Sequence, residues 1–266
     1  MSLSKSELLK AYRKMREIRV FEERLHQENT TGDIPGFIHL YCGEEAIAVG
    51  VCENLEDTDY IGSTHRGHGH CIAKGCDIHG MMAEIFGKDS GLCRGKGGSM
   101  HIADLSKGML GANAIVGGAP PLAIGAALTA KTLGNRGVAV SFTGDGGSNQ
   151  GLVFEAMNMA VVLRLPVIFV FENNGFGEAT GHDYAVGGRD IAHRAAGFGM
   201  PAVKVDGTDF LPCMRRLQSP SSAPGPVKDR PPSKPLPIAG TATLRATRCS
   251  IARTVKSNAC ARKTIR

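Results

Sequence analysis

A chain of 266 residues, 42% hydrophobic and carrying 35 glycines, is long enough to bury one substantial core and reads as a loop-rich α/β enzyme. No run reaches the roughly 18 apolar residues that a bilayer span needs, and the first residues lack a signal-peptide pattern, so the expectation is a cytoplasmic protein with no membrane partner. Eight cysteines without a CxxC pair read as reduced thiols, and the net charge of +6 divides into −5 over residues 1–214 and +11 over residues 215–266.

Along the chain, Ser4-Lys5-Ser6-Glu7 has the form of a capping box. Leu8, Tyr12, Met15, Ile18, Phe21 and Leu25 then recur at helical spacing, which predicts one apolar stripe on a docking helix without chemistry of its own. A turn at 32–36 and a short buried helix at 44–52 follow. Residues 59–70, DYIGSTHRGHGH, read as a strand end running into a Gly- and His-rich loop. His65, His68 and His70 with Cys71 resemble a zinc set only loosely, because the spacing fits no structural zinc pattern. Residues 91–101, GLCRGKGGSMH, form a flexible basic loop that lacks the GxxxxGK[ST] phosphate cradle. The glycine-rich 111–118 leads into an alanine-rich helix at 120–133.

The most informative stretch is 138–176. An apolar strand at 138–143 breaks at Gly144-Asp145-Gly146, a helix at 153–163 stops before Pro166, and a second apolar strand at 167–171 breaks at Glu172-Asn173-Asn174-Gly175. Strand, helix, strand makes a right-handed βαβ unit with parallel strands. Parallel neighbours lie about 5 Å apart and leave the sheet at the same edge. Asp145 and Asn174 therefore emerge side by side, and their oxygens suit a hard cation such as Mg2+ that takes further oxygens from phosphate. Gly146 and Gly147 clear side chains from the path of a phosphate, beside a helix N-terminus. A Rossmann site is disfavoured, since Gly144-x-Gly146 would need glycine where Asn149 stands. A polar loop, a short helix near 190–196 and a strand at 201–205 follow. His182, His193 and Arg194 read as surface residues, and Glu178 has no assigned role.

The order GDG, 26 residues, NN resembles the thiamine-diphosphate motif. Residues 8–210 resemble the alpha subunit of the thiamine-dependent dehydrogenase component of 2-oxo acid and acetoin dehydrogenase complexes. That resemblance implies a thiamine-diphosphate-binding fold, α/β, with a mostly parallel sheet and helices on both faces. It implies Mg2+ held by the side chains of Asp145 and Asn174 and by the backbone carbonyl of Phe176. Arg66 would reach the cofactor diphosphate, beside Gly146 and Gly147, and backbone groups of Ala114 and Val116 would hold the pyrimidine ring. His39 matches a position near the active site, and His65 matches, with Arg66, the positions that reach the diphosphate; these two histidines are the candidate catalytic residues. The glutamate that activates the pyrimidine belongs to a beta subunit in this family, so the expected assembly is an α2β2 heterotetramer serving a lipoyl-bearing acyltransferase. STHRGHGHC, MHIADLSKGMLGANAIVGG and ENNGFGEATG look most like acetoin dehydrogenase alpha subunits, which implies cleavage of acetoin and transfer of the acetyl group to lipoamide. A pyruvate dehydrogenase alpha subunit is the alternative, and an inactive fragment that keeps only the cofactor clamp is a third.

The resemblance stops after Phe210. Eight of the 13 prolines and 12 of the 31 basic residues lie beyond residue 211, and periodicity disappears. The expectation is a thiamine-diphosphate-binding domain at 1–210 and an irregular Pro/Arg-rich tail at 211–266. The tail's composition resembles out-of-frame translation of a GC-rich coding sequence more than a basic arm for nucleic acid, which is not expected as a partner.

Overall fold

The computed structural model describes residues 3–188, 190–217 and 239–245, and parallel strands organise them. In chain order these are β1 (Tyr60–Gly62), β2 (Met109–Gly111), β3 (Ala139–Gly144), β4 (Val167–Asn173), the two-residue strands β5 (Phe176–Gly177) and β6 (Thr180–Gly181), β7 (Ala202–Asp206) and β8 (Ala239–Arg245). The main sheet runs β2-β1-β3-β4-β8-β7, while β5 and β6 form a separate antiparallel hairpin. The central pair is in register from Ala139 opposite Val167 to Gly144 opposite Glu172.

Both faces of the sheet are covered, which is why its central strands are apolar throughout rather than alternating. Val140, Phe142, Ile168 and Val170 face a core shared with α1 (Lys5–Asn29), α2 (Glu45–Cys52), α3 (His68–Lys74) and α4 (Ile78–Ile85). Ala139, Val167, Phe169 and Phe171 face a second core with α5 (Ala119–Leu133), α6 (Gly151–Val162) and, beyond the short α7 (His182–Ala185), α8 (Ile191–Ala196). Truncating one of these phenylalanines to alanine would cost about 3–5 kcal/mol. Among the described residues, no helix is long and apolar enough to cross a membrane.

The capping box is present: Ser4 and Glu7 satisfy each other's backbone donors at the start of α1. The buried stripe differs from the expected one. Ala11, Ile18, Phe21, Glu22 and Leu25 are buried, while Leu8 and Tyr12 are exposed. The reason is polar: Glu22 occupies the seam because its Oε1 lies 3.0 Å from Nδ1 of the equally buried His68.

Beyond residue 210 the chain is not irregular throughout. An α-helix, α9 (Phe210–Leu217), packs on α2, and β8 lies between β4 and β7. Without a strand there, β4 and β7 would each bury a row of unpaired backbone groups, and this demand outweighs the weak strand signal of AGTATLR. Residues 218–238 and 246–266 of the expected tail lie outside the described residues.

Candidate functional site

A cavity of about 600 Å3 opens at the sheet edge where β1, β3 and β4 end, the place where open parallel sheets hold ligands. His39, His65, Arg66, Ala114, Val116, Asp145, Gly146, Gly147, Asn174 and Phe176 all line it. The strand-end loops bring most of them, and the segment between α1 and α2 adds His39.

The floor is acidic and dry. Asp145, one residue past β3, is 2% exposed, and its Oδ2 has no hydrogen-bond partner among the described residues. Nδ1 of His182 lies 3.6 Å from that oxygen. Burial pushes the Asp145 carboxyl up from its ordinary range, while His182 and the Gly146 N–H pull it down. A buried carboxylate oxygen without a donor is costly, and a cation placed against it would remove that cost. Asn174, one residue past β4, donates from Nδ2 to Glu44 Oε1 at 3.1 Å, and its Oδ1 accepts the Phe176 N–H at 3.1 Å. That carbonyl oxygen keeps a second lone pair. Carboxylate and carboxamide oxygens are hard donors of the kind that Mg2+ takes.

Glu44 itself is 5% exposed. Burial first, and then the neighbouring Glu172, push its carboxyl up to about 8. Glu172 accepts a hydrogen bond from the Tyr41 hydroxyl. His70 Nε2 lies 3.0 Å from both Tyr41 Oη and Glu172 Oε1, and its Nδ1 lies 2.7 Å from Ser63 Oγ.

The mouth is different. His39 and His65 meet edge to face with ring centroids 4.6 Å apart. Burial, then His39 and Arg66, push His65 down to about 4, and burial followed by Arg66 lowers His39. Both imidazoles are neutral near pH 7. The Arg66 guanidinium donates to the Leu40 carbonyl at 2.7 Å, which fixes the fork at the cavity wall. The three histidines weighed as a loose zinc set are each engaged elsewhere: His65 faces His39, His68 faces Glu22 and Ser99, and His70 faces Ser63, Tyr41 and Glu172. Among the described residues, no trio of His, Cys, Asp or Glu is arranged to hold a metal.

Gly146 and Gly147 are required by protein contacts as well as by cavity space. A Cβ at Gly146 would stand 3.0 Å from the Gly177 Cα, and one at Gly147 would stand 2.9 Å from the Val116 side chain. A 3-10 turn, Gly147–Asn149, separates them from α6, so the first N–H groups beyond Asp145 belong to that turn and not to the expected helix end.

A family model described as dehydrogenase E1 component matches residues 13–218. The chain belongs to the dehydrogenase E1 component family. This E1 component is 62% identical, over 211 residues, to the alpha subunit of acetoin:2,6-dichlorophenolindophenol oxidoreductase from Bacillus subtilis. The match covers 79% of this chain and 63% of that one. The subunit of the same name from Cupriavidus necator is 61% identical over 209 residues, again with 79% and 63% covered. The pyruvate dehydrogenase E1 component subunit alpha of Zymomonas mobilis is 46% identical over 208 residues, covering 78% and 59%. The chain thus spans about 63% of the length of the acetoin relatives it matches. The X-ray structure of a Mycobacterium smegmatis enzyme described as thiamin diphosphate-dependent superposes with a TM-score of 0.50 at 16% identity, over 78% of this chain and 32% of that one, and shows the fold alone.

Several residues at the site escaped the sequence. Glu44 was hidden because an acid at the start of an apolar helix reads as a partner of the helix dipole. It precedes α2 without capping it and turns to Asn174 instead. His26 and Asn29, from the helix expected to carry no chemistry, reach the cavity wall. His182, expected on the surface, has an 11% exposed side chain against Asp145. The β5–β6 hairpin turns the chain back, and the His182 N–H bonds to the Gly175 carbonyl at 2.9 Å. Arg194, also expected on the surface, braces the turn after Gly146 through Asn149 Oδ1 at 2.8 Å. The loop at 91–101 is folded around one carboxylate: Glu84 accepts the N–H groups of Cys93, Gly95, Gly97 and Gly98.

Proposed function

We propose that this E1 component is the alpha subunit of a thiamine-diphosphate- and Mg2+-dependent acetoin dehydrogenase. The observation that carries the proposal is the placement of Asp145 and Asn174 on adjacent strand ends over one cavity, with a buried Asp145 oxygen that among the described residues meets only His182 Nδ1, at 3.6 Å. In this reading Asp145, Asn174 and the Phe176 carbonyl hold Mg2+. Arg66 faces the diphosphate, because a planar guanidinium matches phosphate oxygens. Gly146 and Gly147 keep the wall low, and the backbone at Ala114 and Val116 positions the pyrimidine. When bound, thiamine diphosphate supplies a nucleophilic carbon that also serves as an electron sink. The neutral imidazoles of His39 and His65 offer hydrogen bonds to a substrate oxygen without carrying charge.

The beta subunit completes the site, in an α2β2 assembly that passes the acetyl group to a lipoyl-bearing acyltransferase. Supporting a partner, α5 and α6 leave Leu122, Leu128, Leu133, Leu152, Met159 and Val162 exposed. The substrate follows from the names of the more similar relatives. Oxidation of pyruvate is the second reading, favoured by the pyruvate dehydrogenase relative, and it uses the same clamp.

Calorimetric titration of thiamine diphosphate into the chain with and without Mg2+ tests the clamp. Uptake is expected only with the metal, and uptake that ignores it, or none at all, overturns the proposal. Dye-linked oxidation of acetoin against pyruvate, after the beta subunit is added, decides the substrate.

A further inference from the structure

The loop of the β5–β6 hairpin contains an anomaly. Phe176 pairs with Gly181 and Gly177 with Thr180, which leaves Glu178 and Ala179 as a two-residue turn. Such turns need a positive φ, a conformation that glycine or asparagine adopts cheaply. Here the position is held by Glu178 at φ 55. A long charged side chain in a left-handed backbone is strained, and strain of this kind collects where a side chain has work to do.

Glu178 lines the cavity, and its charge favours the protonated form of His39 against the larger opposing effects of burial and Arg66. Its position relative to the other charges is the point. Asp145, Glu44 and Glu172 are buried at the floor and engaged there with His182, Asn174 and Tyr41. Among the described lining residues the one permanent cation is Arg66, and its guanidinium is tied to the Leu40 carbonyl on the wall. The entrance therefore presents two neutral rings, the Arg66 guanidinium beside them on the wall, and one exposed carboxylate.

We propose that Glu178 is the residue that selects the substrate class: its carboxylate accepts the hydroxyl hydrogen of a neutral α-hydroxy ketone and repels the carboxylate of a 2-oxo acid. The assignment rests on the proposed thiamine-dependent function and sharpens it. Both substrate classes offer a carbonyl carbon to attack, and they differ in the group next to it. In one that group is a hydrogen-bond donor, and in the other it is an anion of the same sign as Glu178. Like charges at the cavity rim repel, although solvent screens part of the repulsion because Glu178 is exposed.

The experiment uses the holoenzyme reconstituted with beta subunit, thiamine diphosphate and Mg2+, with acetoin and pyruvate as probes. Glu178→Gln keeps the shape and removes the charge. The ratio of kcat/KM for acetoin over pyruvate should fall about tenfold or more, equivalent to about 1.4 kcal/mol. Calorimetry should also show tighter pyruvate binding by that variant. Glu178→Asp should keep the order of preference. Glu178→Gly, which suits the left-handed backbone and so guards against misfolding, should discriminate as poorly as the glutamine variant. Cofactor affinity should be unchanged in all three. An unchanged ratio in the Gln and Gly variants overturns the assignment, as does a wild type that shows no preference for acetoin. Failure of Mg2+-dependent cofactor uptake by the wild type is a separate result, and it sinks the underlying function instead.

Discussion

At the floor of the cavity, Asp145, Glu44 and Glu172 are buried, hang from strand ends or a helix start, and are engaged by His182, Asn174 and Tyr41 respectively. At the mouth, Phe176 and Glu178 stand exposed on a two-residue hairpin, beside two imidazoles that burial keeps neutral. The floor is finished by this chain alone, in the sense that its geometry is fixed by the sheet. The mouth is shaped by loops, so what it binds depends on single side chains. Cofactor binding should therefore respond to changes at the floor, and substrate choice to changes at the mouth.

The largest effect should come from Asp145→Ala. It deletes the buried Asp145 Oδ2, which makes no hydrogen bond among the described residues, and affinity for thiamine diphosphate in the presence of Mg2+ should fall by more than about 100-fold. The bound follows because loss of an outer partner of a metal ligand already costs about 10–100-fold. Glu44→Ala is that outer case. Without its acceptor, the Asn174 amide is held only by the Phe176 N–H on its Oδ1, so its orientation loosens and affinity should fall by about 10–100-fold. Calorimetry at fixed Mg2+ measures both. A Glu44→Ala variant that binds like wild type would show that the floor does not work as a unit.

The contrast between floor and mouth also decides what was legible in the sequence. Asp145 and Asn174 could be read because two apolar strands and one helix fix parallel geometry, and parallel geometry fixes which strand ends are neighbours. Their meeting needs no knowledge of side-chain contacts. Glu44 could not be read in the same way. Its bond to Asn174 spans 130 positions and depends on how α2 enters the site. His182 was missed for a related reason, because a four-residue reversal at 177–180 carries it back under Asp145. The strand β8 was missed because its local signal is weak and its place is set by the needs of β4 and β7.

At the mouth, His65 gives a pH signature of moderate size. Its pKa falls from 6.5 to about 4 on folding, mainly through burial, so the unfolded chain binds the proton more tightly than the native one. Stability from this group is fully present above pH 6.5 and is lost as pH falls toward 4. With the ring partly open to solvent, the loss should be on the order of 1–2 kcal/mol. Chemical denaturation between pH 7 and pH 4 measures it. His65→Gln should flatten that limb of the curve, and an unchanged slope would mean that the ring is hydrated and that burial does not set its proton affinity.

The smallest effect concerns Glu178, and its sign matters more than its size. A non-glycine residue in the left-handed region costs about 1–2 kcal/mol, and replacing it by glycine returns about 0.5–1 kcal/mol of that to the unfolded chain as entropy. Glu178→Gly should therefore stabilise the fold by up to about 1 kcal/mol, which for a domain of this size raises Tm by about 2–4 °C. The same variant should lose its preference between a neutral and an anionic substrate. A residue whose removal improves folding and impairs selection is explained by what it does at the mouth, since the hairpin gains nothing from it. If thermal unfolding shows Glu178→Gly to be less stable than wild type, the turn is not strained, and the contrast with the floor loses its physical basis.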